Sequence, residues 1–338
     1  FKKRFPSLNK SYLSKSKFNL KTMQKKSLLI LFFFSILTVA FIPMKESKTT
    51  KAGIKMQEFV IDISKYARSI DSNFIIIPQN GPELAFEKMN PSGKFRTAYV
   101  DAIDGIAVED LFFNEKPKVD TYRFNMLKKL KAQKQVMVSD FIIDSNAIET
   151  VKSQSDQEGF LLYPRVKTNE HYREIPTNIP NENANDILKL SDAKNYLYLI
   201  NPIDLKTKNL FIKAIAATNY DMITIDLFYN DKPLTASEVA KLKTKANGGK
   251  RLIISYVNIG AAENWRYYWQ RNWQLNDPIW LKKKYAGYED EFYVQFWHED
   301  WKKIIYGNND SYLKKILDAG FDGAFLDNVE AYYFLYNK

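Results

Sequence analysis

Acidic side chains recur at one kind of place in this sequence, the end of a short run of β-branched and aromatic residues. Glu109 and Asp110 close AIDGIAVE, Asp140 closes QVMVSD, Asp226 follows MITI, and Asp327 follows AFL. Glu263, Asp300 and Glu330 lie a few residues beyond further runs, and Asn80 follows FIIIP in Gln-Asn-Gly. One acid at such a place reads as a helix N-cap, accepting from the free N–H groups of the next element. A set of them reads differently, because the ends of parallel strands open on one face and side chains distant in sequence converge there. Converged carboxylates suit glycosidic cleavage, in which one protonates the leaving oxygen while the other attacks or activates water. Aromatic residues stand beside the acids, among them Tyr256, Trp265, Tyr268, Trp269, Trp297, Trp301 and Tyr332. Flat rings pack against the C–H faces of sugars. Core packing accounts for most of these rings, with Tyr256 and Trp297 the candidates for a site.

Other chemistries are poorly supplied. The histidines are His171 and His298, and there is no cysteine, so neither a zinc site nor a thiolate nucleophile nor a disulfide can be built. No G-x-S-x-G elbow, Walker loop or dinucleotide fingerprint occurs. No metal and no cofactor is expected, although acids in this number leave an oxygen-ligated Ca²⁺ or Mg²⁺ open.

The elements that must position these acids alternate helical spacing with short buried-strand runs, the rhythm of a parallel α/β fold. Strands are expected at residues 74–78, 102–109 and 135–140, and after the polar stretch 167–192 at 196–200, 222–226, 252–260, 292–297 and 324–327. A further run, 160–163, precedes the polar stretch and is not counted. Three strands before the stretch and five after make eight, the number that closes a (β/α)₈ TIM barrel. The competing architectures are an open doubly wound sheet and two domains split at 167–192. Gly248-Gly249 and Gly320 stand where helix C-caps are expected.

The formal charge is +11, but residues 1–45 hold ten Lys or Arg and no acid, which leaves 11 − 10 = +1 for the rest. A nearly neutral body argues against nucleic acid as a partner. Residues 23–43, Met-Gln-Lys-Lys and then an apolar run, read as a signal peptide, residues 1–22 as upstream or fragment sequence, and 44–55 as a linker. An exported monomer is expected, periplasmic, cell-surface or secreted, with no stable membrane span after signal cleavage.

At LIISYVNIGAAENWRYYW (252–269), FYVQFWHEDW (292–301) and FDGAFLDNVEAY (321–332) the chain resembles glycoside hydrolase family 114, TIM-barrel proteins whose characterised members are endo-α-1,4-polygalactosaminidases. Gly-Phe-Asp-Gly followed by Asp-Asn-Val-Glu is the most specific piece. Where family members carry an acid just after the Gly that ends the third strand, Ala261 stands here, and Glu263 follows. Residues 56–81, 104–112 and 135–140 resemble family segments that normally follow the Asp-Asn-Val-Glu motif. The resemblance therefore implies a circularly permuted barrel, with strands 6–8 in residues 56–166 and strands 1–5 in 193–338. A piece of a tandem array or a mis-joined gene is the alternative. It also implies Asp327 as nucleophile or charge stabiliser and Glu109 as proton donor. Asn80, Asp140, Asp226, Tyr256, Glu263, Trp297, Asp300 and Glu330 are the expected substrate contacts, the acids among them facing ammonium groups of a cationic amino-sugar polysaccharide. A non-catalytic carbohydrate-binding barrel of the cell surface is the second functional reading.

Overall fold

The computed structural model describes residues 46–202 and 204–337. The expected upstream segment and signal peptide lie outside the described residues. In chain order the main elements are α1 (Lys48–Ile70), β1 (Ile75–Pro78), α2 (Thr97–Ala102), β2 (Gly105–Pro117), α3 (Thr121–Lys131), β3 (Gln135–Ile142), α4 (Ile148–Glu158) and β4 (Leu161–Val166). After the polar stretch follow β5 (Tyr196–Leu199), α5 (Lys208–Ala216), β6 (Met222–Asp226), β7 (Phe228–Tyr229), β8 (Lys232–Pro233), α6 (Ala236–Leu242) and β9 (Leu252–Asn258). The last are β10 (Ala261–Glu263), β11 (Leu281–Tyr285), β12 (Tyr288–Val294), α7 (Glu299–Ile305), α8 (Tyr312–Asp318), β13 (Gly323–Asp327) and α9 (Ala331–Phe334).

The helix α1 starts where a linker was expected. The Ser47 hydroxyl accepts from the Thr50 N–H, and Ala52, Met56, Phe59, Val60, Ile63 and Ala67 form a buried stripe at helical spacing. Residues 48–55 are thus its first turns.

Two parallel sheets make the core. One has the order β1-β13-β9-β6-β5 and the other β2-β3-β4. They are linked by a parallel bridge between Gln79 and Ala107, where the Asn80 N–H donates to the Ala107 carbonyl at 2.7 Å and the Asp104 N–H to that of Ile76 at 2.9 Å. Their outer strands meet through side chains. Tyr163 of β4 packs on Tyr196 of β5 with ring centres 5.6 Å apart, and the Tyr196 hydroxyl donates to the Val138 carbonyl of β3 at 2.9 Å. The Tyr198 hydroxyl of β5 reaches Gln79 Oε1, just past β1, at 3.1 Å.

The strand expected at 292–297 is not in either parallel sheet. The residues of β12 pair antiparallel with β10 and β11, and β13 pairs directly with β9. The tight turn at Gly287 (φ 87°) offers β12 a partner a few residues away, which a parallel neighbour cannot match for closeness in sequence. Its place among the parallel strands goes to β4, LLYPRV, so the polar stretch divides them four and four. Gly320 (φ 77°) ends α8 as expected, whereas Gly248 (φ 94°) turns the chain between α6 and β9, its N–H on the Lys245 carbonyl.

Acids also stand at the opposite, N-terminal strand ends, where they bolt neighbours together. Asp322, before β13, accepts from the Ile253 N–H of β9 and from Lys243. Asp104, before β2, accepts from the Ile76 N–H of β1 and from Arg68. Asp221, before β6, accepts from the Lys194 N–H and from Lys245 Nζ at 2.5 Å, both side chains of this ion pair being fully buried.

Candidate active site

Asp327 ends β13. Its Oδ2 accepts from the Tyr256 hydroxyl of β9 at 2.6 Å and its Oδ1 from the Asn328 N–H at 2.7 Å. Burial pushes this carboxyl up to about 6, the Tyr256 bond opposing the rise and the negative Glu109 adding to it. Glu109 ends the first ladder of β2 on β3, and its backbone N–H donates to Asn80 Oδ1 at 3.3 Å. Its Oε1 accepts from the Tyr172 hydroxyl, and the Arg165 guanidinium of β4 stands 4.0 Å away. Glu330, one turn past Asp327, joins the same field. Burial raises its carboxyl to about 7, Glu83 adds most to that, Arg123 opposes, and Glu109 and Asp327 add further. The β11–β12 hairpin brings Tyr288 to the group, since Glu109, Glu291 and Asp327 reinforce burial in pushing its phenol up.

The backbone around this group is held in unusual shapes. Asn80, Asp110, Tyr172 and Asn328 have φ of 63°, 53°, 57° and 59°. Left-handed backbone at a non-glycine residue costs of order 1–3 kcal/mol and persists where surroundings impose it, commonly at functional sites. The imposing contacts are visible. Beyond Glu109, β2 bulges over residues 110–113 before rejoining β3 at Asn114, and the fully buried Asp140 carboxylate gathers the N–H groups of Leu111, Phe112 and Phe113. Asn80 Oδ1 also accepts from Arg123, which donates to the Asp110 carbonyl.

Of the ten residues expected in the site, Glu109, Asp327, Tyr256 and Glu330 are brought together, with Asn80 as backbone support for Glu109. Five are placed otherwise. Asp140 is a structural acceptor, its lone pairs taken by the β2 bulge. Asp226 and Glu263 are both spent on the buried Arg266, at 2.7 Å and 2.6 Å, and Tyr312 donates to Asp226 at 3.3 Å. A guanidinium already occupies the place proposed for a ligand's ammonium. Asp300 is exposed in the first turn of α7, next to His298 and Lys303. Trp297 packs on Phe296 and lies under the Lys55 ammonium of α1, 4.4 Å from the ring centre. Missing from the sequence reading were Tyr172, Arg165, Tyr198 and Tyr288. Arg165 had a faint signal, standing two residues past the uncounted run 160–163. Tyr172 had none, because the stretch around it lacks any period.

Residues 205–338 match the pattern of Glycoside-hydrolase family GH114. This part of the chain is similar to GH114 proteins. Asp327, Tyr256 and Glu330 fall inside the GH114 stretch, and Glu109, Asn80 and Tyr172 outside it. The chain is also similar to an uncharacterized protein of Methanocaldococcus jannaschii, 35% identical over 153 residues, which are 44% of this chain and 41% of that protein. An uncharacterized protein of Deinococcus radiodurans is 31% identical over 36% of this chain and 37% of its own length. One of Thermotoga maritima is 29% identical over 35% of each. The chain thus spans about two fifths of the length of these curated relatives or less. Among the described residues no helix is long and apolar enough to cross a membrane.

Proposed function

We propose that this protein is an exported glycoside hydrolase that cuts α-1,4 linkages in a galactosamine-containing polysaccharide, with Asp327 and Glu109 as the carboxylate pair. The observation that carries the reading is the coupling of these two acids, drawn from distant parts of the chain to the C-terminal ends of parallel strands and each hydrogen-bonded by a tyrosine. Asp327, with donors on both oxygens, is the nucleophile or charge stabiliser and acts as the carboxylate. Glu109 is the proton donor. Glu330 remains as the acid available to an ammonium group of the substrate, Asp226 and Glu263 both being ion-paired with Arg266.

The proposal includes a closed, circularly permuted (β/α)₈ barrel. Supporting closure are the Gln79–Ala107 bridge on one side and the Tyr163–Tyr196 contact on the other. Supporting permutation is the Asn337 side chain, whose Nδ2 donates to Thr49 Oγ1 at 3.3 Å, so that the end of α9 lies beside the start of α1. The test is release of reducing ends from partly deacetylated polygalactosamine. Asp327→Asn and Glu109→Gln are each expected to lower kcat by at least about 10³-fold, as losses of reacting groups do. Binding of the polymer without cleavage by the wild type would leave the carbohydrate-binding reading standing instead.

A further inference from the structure

The stretch 167–192 has no periodicity and lies outside the GH114 match, yet one of its side chains reaches Glu109. We infer that Tyr172 is a positioning residue, held by this loop so that its hydroxyl fixes the carboxyl group of Glu109. The inference rests on the assignment of Glu109 above. The Tyr172 hydroxyl lies between two polar partners, Glu109 Oε1 and Ser139 Oγ, the latter at 3.1 Å. Its ring is buried, 4.0 Å from the centre of Tyr198 and 5.0 Å from the Arg165 guanidinium.

The loop is pinned on both sides of this residue. The Tyr172 carbonyl accepts from the N–H groups of Ile200 and Asn201, Asn201 Nδ2 donates to the His171 carbonyl, and Arg165 Nη1 donates to that of Glu170. Asn169 Oδ1 takes the N–H groups of Arg173 and Glu174. A ring that only filled the core would need neither the left-handed backbone at φ 57° nor a hydroxyl. Arg165 serves both ends of the device. Its Nη2 pairs with Asp110 at 2.6 Å while the same guanidinium faces Glu109 and stacks on Tyr172. Tyr172 touches the acid itself, so its effect is on the orientation of Glu109.

The test is Tyr172→Phe, which keeps the ring and removes the hydroxyl. Loss of the bond that holds Glu109 in place is expected to lower kcat about tenfold or more, with KM within about twofold. Thr168→Ala, on the same loop with its hydroxyl on Glu174, should behave as wild type. Wild-type kcat in Tyr172→Phe, alongside dead Asp327→Asn and Glu109→Gln variants, would overturn the inference alone. Full activity in Asp327→Asn as well would bring down the carboxylate pair and the inference with it.

Discussion

Asp322 and Asp327 bracket one strand and do different work. Asp322 ties β13 to β9 through the Ile253 N–H, whereas Asp327 faces Glu109 with its oxygens on Tyr256 and Asn328. Sequence alone placed acids at strand ends but could not separate acids that bind substrate from acids consumed internally. For Glu263 a clue was present, since Arg266 lies three residues on. For Asp140 there was none, because its partners are backbone N–H groups of another strand. Asp140→Ala leaves those three donors orphaned in the interior, and a loss of about 3 kcal/mol is expected in a denaturant titration. Asp327 makes a pH prediction of two parts. Its folded pKa, about 6, lies above its ordinary value. The folded state therefore holds the proton more tightly than the unfolded chain, and stability present below about pH 4 is lost as pH rises toward 6. Asp327→Asn escapes that loss, so at pH 7 it should melt at or above the wild-type Tm. Activity runs the other way, since the reaction needs the carboxylate, and kcat/KM should fall as pH drops through about 6.

At the scale of elements, the alternation of strands and helices was legible and one assignment failed. Residues 292–297 have strand composition, but strand composition does not say which partner is taken, and the nearby 281–285 segment supplies an antiparallel one. The run 160–163 was left uncounted, although as Leu161–Val166 it pairs with its neighbour β3 in full register. The consequence for the site was useful, because the misassigned strand is the one that carries Tyr288 toward the acids. The turn after β9 shows how tightly the elements fit. A Cβ on Gly260 would collide with the Asn328 carbonyl, and Asn328 is the residue whose N–H holds Asp327. Gly260→Ala is expected to lower kcat by at least about tenfold and to destabilise the fold by about 1–3 kcal/mol, read by kinetics and thermal melting.

Across the whole molecule, seven of the eight parallel strands were readable from the rhythm of the chain and the eighth was assigned to the wrong residues, whereas the joins between sheets depend on side chains such as Tyr163, Tyr196 and Tyr198 that no pattern marks. The contact between Asn337 and Thr49 gives a direct test of chain order. A variant in which residue 337 runs into 48 through a short Gly-Ser linker, opened between the exposed Thr177 and Asn178, should fold with a Tm within about 5 °C of the original. Failure of the rejoined chain to fold would count against the permuted barrel.

The pairing of β1 with β13 also governs when the protein can mature. During synthesis Ile75, Ile76 and Ile77 emerge well before the ladder they need, Gly323 to Leu326. An apolar strand edge thus waits for its partner until all the elements between them have been made. Shielding of that exposed triplet by chaperones until β13 is made is therefore expected to raise the yield of native protein.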